Sequence, residues 1–378
     1  MSTVWDDVVG QEPAVAVLRE AVADPSRMTH AWLITGPPGS GRSNAARAFA
    51  AALQDPSGDP RSPGCATVLA GTHPDVTFVS TEGVVIRVDT VRPLVELAQR
   101  APSQGRWRVI VVEDADRLNE TSGNVLLKAI EEPPPRTVWL LCAPSPQDVL
   151  VTLRSRSRSV ALRVPPVEAV ADLLVRRDGI DPGVALVAAR AAQSHVGVAR
   201  RLARDPEARA RRSAVLRIAP RLRGVGDAVL AAAELVETAQ ADARAATEER
   251  DAAERQALLH ALGAEGLTVV PPALRGQVKQ LEDEQKRRAT RAQRDVLDRA
   301  MVDLLSFYRD VLVLQLGAGV DLVNAEHEEA ARSVAESSTP EQTVRRMGAV
   351  GEARTRLEGN VAPLLAVEAM LIALRPQA

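Results

Sequence analysis

Residues 31–43 constrain this chain more than any others. Ala31-Trp32-Leu33-Ile34-Thr35 is a short apolar run, Gly36-Pro37-Pro38-Gly39-Ser40-Gly41-Arg42-Ser43 follows it directly, and Asn44–Leu53 is rich in alanine. Strand, glycine-rich turn and helix in that order are the setting in which a G-x-x-x-x-G-K-[ST] segment holds phosphate. The glycines let backbone N–H groups converge on phosphate oxygens, and the start of the following helix adds partial positive charge. Gly36, Pro37, Gly39, Ser40, Gly41, Arg42 and Ser43 are therefore the candidate nucleotide-binding residues, with ATP or ADP and Mg²⁺ as the ligand and the Ser43 hydroxyl directed to the metal. A tight turn that holds nothing is the competing reading, and the flanking strand and helix weigh against it.

One position departs from the pattern. Arg42 stands where the motif has lysine, and a planar guanidinium does not replace a compact ammonium that reaches between phosphates. Backbone amides can still hold a nucleotide, but fast hydrolysis is not expected. A second acidic motif is altered as well. Val109-Ile110-Val111-Val112 is an apolar strand that ends in Glu113-Asp114, the place where a hydrolase of this kind carries Asp for the metal and then Glu to polarise water. Here the order is reversed: Glu113 takes the metal position, and the shorter Asp114 falls roughly a carbon–carbon bond short of the attacking water. Two defects in complementary places imply weak or absent ATP turnover by the chain alone.

The first 165 residues alternate helix and strand signals. Asp75–Ser80 and Val84–Val88 carry β-branched residues between turns, Asp89 can cap a helix to about Arg100, and Arg108–Val112 and Val138–Cys142 are continuous apolar runs suited to central parallel strands. The fold expected is an α/β P-loop domain with a doubly wound parallel sheet. Pro165-Pro166 marks its end. Residues 166–214 read as a small helical lid, and 215–378 as an all-helical domain with a charged insertion at about 247–298. That insertion mixes acids and bases throughout, so a solvated helix face explains it better than a strip that binds nucleic acid. Leu304–Leu314 reads as a buried helix.

Composition excludes some classes. With 46% apolar and 25% charged residues and a net charge of -2, the chain has a globular balance and no field that draws it onto nucleic acid. No apolar run is long enough to span a membrane, and the N-terminus shows no signal-peptide pattern. Cys65 and Cys142 are the only cysteines, too few for a disulfide scaffold and in keeping with a reducing cytoplasm. Lys128, Lys279 and Lys286 are the only lysines, an arginine bias that accounts for how Arg42 arose.

Four further segments carry a resemblance. Val9-Gly10-Gln11, Gly71-Thr72-His73-Pro74-Asp75, Asn124–Pro134 with its Glu131-Glu132-Pro133-Pro134 ending, and Thr152-Leu153-Arg154-Ser155-Arg156-Ser157-Arg158 together resemble bacterial clamp-loader AAA+ subunits, over about the first 200 residues. The resemblance implies a AAA+ domain, a lid and a helical collar to which Leu304–Leu314 and Asn360–Leu374 belong. It also implies a role in DNA replication within a complex of gamma/tau and delta subunits that places a sliding clamp on primed DNA. Ser155-Arg156-Ser157 matches the family's Ser-Arg-Cys, whose arginine begins a helix at the subunit edge and reaches into the neighbouring ATP site. Arg156 is thus the candidate finger acting in trans, with Ser155 beside it, and an ordinary surface ion pair is the alternative. Arg154 and Arg158 flank it and are free to bind the fold's own acids.

Within the family the altered motifs resemble the delta-prime type, and an ATP-hydrolysing gamma/tau motor is the alternative. Val196 or Gly197 fills the lid slot where gamma/tau subunits carry a phosphate-sensing arginine, and Ala143-Pro144-Ser145 offers no clear polar sensor. The family's four-cysteine zinc module retains only Cys65, and one thiolate, even with His73 nearby, does not close a tetrahedral site. No zinc is expected.

Overall fold

In a computed structural model, residues 2–81, 85–262, 271, 274–359 and 361–376 are described. The chain forms two compact units, Met1–Arg204 and Asp205–Ala378.

The first unit is built on five strands: β1 (Ala31–Thr35), β2 (Val76–Val79), β3 (Arg108–Val112), β4 (Thr137–Ala143) and β5 (Arg158–Ala161). They pair in the order β2-β3-β4-β1-β5, every pair parallel. Every residue of β1, β3 and β4 is buried, which is why these segments read as unbroken apolar runs. Trp32, Ile34, Val109, Val111, Leu140 and Cys142 face one core with Phe49 and Leu53, while Leu33, Ile110, Trp139 and Leu141 face the other with Leu94, Leu126 and Ile130. Helices α1 (Glu12–Ala23), α2 (Arg42–Gln54), α3 (Pro63–Leu69), α4 (Val88–Ala98), α5 (Glu120–Glu131) and α6 (Val151–Arg154) cover the two faces. The short bundle α7 (Val167–Asp178), α8 (Pro182–Ala191) and α9 (Val196–Arg204) completes the unit.

Three local expectations need correction. Val84–Val88 is not a strand: Val84 lies outside the described residues, Ile86 makes a single bridge to Leu118, and Val88 already begins α4. Asp89 does not cap α4, because Arg87 holds that place and Asp89 sits in the first turn. Its carboxylate still suits the positive end of the helix. Arg154 and Arg158 bind no acids among the described residues. Their guanidinium groups donate to the carbonyls of Pro146 and Arg27, and Arg158 lies over the Trp32 ring.

A buried ion pair closes the far end of the sheet. Arg108, at the start of β3, donates to Asp75 at 2.9 Å, with side chains 5% and 0% exposed. Burial pushes the Asp75 carboxyl up, but the N–H groups of Gly105, Ser103 and Gln104 outweigh it and hold it down at about 2.

The second unit is wholly helical: α10 (Pro206–Leu216), α11 (Ile218–Arg221), α12 (Val225–Ala261), α13 (Arg275–Leu316), α14 (Glu328–Glu336), α15 (Pro340–Glu358) and α16 (Pro363–Leu374). Its core joins Ala228, Ala232 and Ala239 to Leu297, Met301, Leu304, Phe307, Val311, Val350, Val367 and Leu371. Helices α12 and α13 run antiparallel, and beyond that core ion pairs join them. Arg288 bonds Asp251 at 2.7 Å and Glu254 at 3.0 Å, and Arg255 meets Glu282 at 3.1 Å. The charged stretch 247–298 is the outer part of this hairpin, and its residues 263–270, 272 and 273 lie outside the described ones. No helix among the described residues is long and apolar enough to cross a membrane.

Candidate nucleotide site and interface arginine

The loop Gly36–Ser43 leaves the C-terminal end of β1, where ligands of parallel α/β sheets bind, and α2 begins at Arg42. Gly39 and Gly41 have φ of 86° and 89°, left-handed values that a side chain resists, so the loop needs glycine at both places. Gln11 braces it. Its side-chain N–H₂ donates to the carbonyls of Ser40 and Arg163 at 3.2 and 2.6 Å, and its oxygen accepts from the Arg163 N–H. The family-like Val9-Gly10-Gln11 segment thus ties the loop to the chain just after β5.

Arg42 and Ser40 of the loop are turned inward. Arg42 folds back to donate to the carbonyl of Gly36, a group of the loop itself. Gly39 is pressed by the turn that precedes α9: a Cβ there would come within 2.8 Å of His195. His195 is in turn held by its ring Nδ1, which accepts from the Val198 N–H at 3.4 Å, while Gln193 and Ser194 before it take left-handed backbone angles. The Ser40 hydroxyl is buried without a hydrogen-bond partner among the described residues.

The acids after β3 are engaged too. Glu113 faces Arg47 of α2, with Nη2 3.7 Å from Oε1, and the same guanidinium lies 4.0 Å from the centre of the Phe78 ring. Burial raises the Glu113 carboxyl, Arg47 opposes that, and Asp114 adds to it. Asp114 accepts from the Thr81 N–H at 2.9 Å. Behind these acids the Cys142 thiol is pushed up to about 12, by burial first and then by the charge of Glu113. The phosphate loop and both acids thus gather at one end of the sheet, as the motif spacing implied. Arg47 was not among the sequence candidates; its place one helical turn beyond Ser43 was the available signal.

Arg156 lies at the surface. It follows the last turn of α6 rather than beginning a helix, since α6 ends at Arg154. Its Nε donates to Glu131 Oε1 at 2.5 Å, and its Nη1 donates to the Thr152 carbonyl at 2.9 Å and the Ser155 hydroxyl at 3.2 Å. Nη2 has no partner among the described residues, and the side chain is 38% exposed. Ser155 closes the local turn by donating to the Thr152 carbonyl at 3.1 Å. Glu131 belongs to the Glu-Glu-Pro-Pro segment, so two of the family-like segments meet in one ion pair. Cys65 is a buried core residue whose Sγ lies 3.6 Å from the Ala51 carbonyl, and His73 accepts from the Asp75 N–H at 3.1 Å.

Residues 10–166 match the family profile described as DNA polymerase III, delta subunit. Subunit delta' of Pseudomonas aeruginosa is 36% identical over 166 residues, which cover 42% of this chain and 50% of that one. Residues 10–166 thus resemble the clamp-loader subunits of DNA polymerase III. Subunit gamma/tau of Mycobacterium tuberculosis is 33% identical over 176 residues, 45% of this chain and 30% of that protein. Subunit delta' of Bacillus subtilis is 26% identical over 224 residues, 58% and 67% of the two chains. The alignments thus span between about a third and two thirds of these relatives. A solved DNA polymerase III gamma subunit-related protein from Thermotoga maritima superposes over 96% of this chain with 16% identity and a TM-score of 0.44, too loose a likeness to bear on function.

Proposed function

We propose that this chain is a delta-prime-type clamp-loader subunit that lends Arg156 to the ATP site of a neighbouring gamma/tau subunit and does not turn over ATP itself. The observation that supports this most is the contrast between its arginines. Arg42 and Arg47 are spent on the chain's own loop carbonyl and metal-position acid, whereas Arg156 is tethered at Nε and Nη1 and keeps Nη2 without a partner among the described residues. A hydrolysing site needs a cation free for the phosphates and an acid free for Mg²⁺. Here a guanidinium faces the acid that Mg²⁺ would use. Nucleotide held by the loop's backbone amides is compatible with this reading; turnover is not.

A finger supplied in trans meets charge that builds on the transferring phosphoryl group and is worth about 10³ to 10⁵ in rate. That contribution accounts for a subunit that keeps the fold without the reaction. Delta and gamma/tau subunits are the partners, a ring-shaped sliding clamp and primed DNA are reached through the complex, and the cytoplasm is the compartment.

The test is reconstitution with gamma/tau and delta. Arg156→Ala leaves the chain folded and removes the turnover of one gamma/tau site, and the chain alone shows no turnover before or after Arg42→Lys. Unchanged turnover in the Arg156→Ala complex refutes the finger. The rival reading, a gamma/tau-type motor, is favoured by the identity to gamma/tau subunits, and it requires ATP turnover by the isolated chain that Arg42→Ala abolishes.

A further inference from the structure

The inward-facing residues of α15 are Thr343, Arg346, Val350, Ala353 and Leu357, at the three- and four-residue spacing of a core stripe. Arg346 is the exception in that register. It is only 6% exposed, and its one contact of note is the ring of the buried Tyr308, 6.0 Å away. Among the described residues no carboxylate pairs with it and no acceptor takes its N–H bonds. A guanidinium keeps its charge at any working pH, so deprotonation cannot relieve the cost of burying it. Beside it the Nε of Arg375, just past α16, is buried without a partner among the described residues. Arg345, Arg346 and Arg375, with Gln342 and Ala373, line one cavity of about 110 Å³. Glu341 senses Arg345 but is exposed and makes no ion pair with it.

We propose that this cavity binds an oxyanion of the phosphate class. Three guanidinium groups offer forked N–H donors that match such oxygens, and a single carboxylate balances too little of their charge. The volume exceeds the roughly 30 Å³ share of one water, so it holds a phosphate-sized group. It is far below the roughly 300 Å³ or more of pockets that enclose a drug-sized ligand, so a whole nucleotide is excluded. The site lies in the helical unit and does not depend on the function proposed for the first.

The experiment is calorimetric titration of the full-length chain with sodium phosphate at constant ionic strength, with sodium acetate and a phosphomonoester, glycerol phosphate, in parallel. One saturable phosphate site is expected, and Arg346→Met weakens it at least tenfold. If Arg346→Met does not fold, Arg345→Ala/Arg375→Ala at the rim shows the same loss. Binding of phosphate alone identifies the free ion as the ligand, and equal binding of glycerol phosphate identifies a phosphoryl group on a larger molecule. Arg346→Met also unfolds at a higher temperature than the parent chain in phosphate-free buffer, because an unpaired buried charge is gone. Equal heats from acetate, binding that neither variant alters, or binding lost only with Arg42→Ala would each overturn the proposal.

Discussion

Replacing Glu131 with alanine tests whether the tethers on Arg156 do more than decorate the surface. The guanidinium is held by three bonds, and the one to Glu131, at 2.5 Å, is the only charged one. With side chains 38% and 43% exposed, the pair is screened by water, and its worth is about 0.2–1 kcal/mol. If that energy holds Nη2 toward a neighbour's phosphate, its loss slows the neighbouring site about 1.4- to 5-fold, at 1.36 kcal/mol per tenfold. Loss of the whole finger costs about 10³ or more at that site. The assay is steady-state ATP turnover of the reconstituted complex in a four-member cycle of Glu131→Ala, Arg156→Ala, both and neither. Glu131→Ala should lower kcat with little change in KM, Glu131→Gln should recover part of the loss, and Glu131→Ala should have no effect where Arg156 is already alanine. Full additivity of the two changes, or faster turnover in Glu131→Ala, would refute the reasoning: the first makes Glu131 independent of the finger, and the second makes it a restraint.

Asp75→Asn strands Arg108 in a site where both side chains are buried and should lower unfolding free energy by about 3–5 kcal/mol in a urea titration. In the parent chain the Asp75 carboxyl is held at about 2, below its ordinary 3.8, so its contribution of about 2 kcal/mol is present above pH 4 and fades as the pH falls toward 2. Acid unfolding followed by circular dichroism should show that loss, and Asp75→Asn should flatten it. Gly39→Ala forces a side chain into a left-handed backbone and against His195, which should cost about 1–3 kcal/mol and loosen the turn before α9, measured as faster amide exchange at residues 193–199.

What the sequence made legible was whatever depends on neighbours along the chain. The β1–loop–α2 unit, the buried strands β3 and β4 and the place of Glu113 and Asp114 followed from runs and turns that local physics enforces. Val84–Val88 misled because β-branched residues favour a strand without guaranteeing a partner, and among its described residues only Ile86 found one. The pairs Arg47–Glu113 and Arg156–Glu131 join segments far apart in sequence, so their existence depends on the folded sheet and not on any pattern. Arg156 was identified through resemblance, yet the group that orients it was invisible until α5 and α6 were side by side. Arg346 was hidden for another reason: arginine reads as a surface residue, and only the register of α15 reveals that it faces inward.

The hairpin of α12 and α13 changes character along its length. At about 1.5 Å of rise per residue, the 42 residues of α13 reach about 63 Å. The base is fastened by Leu297, Met301 and Leu304, and the outer end carries ion pairs between carboxylates and guanidinium groups. A projection fixed in that way resembles a mast stepped in a solid deck but rigged with ropes. Lengthening, trimming or recharging its top would leave the footing undisturbed, because the apolar contacts of the base lie elsewhere along the two helices.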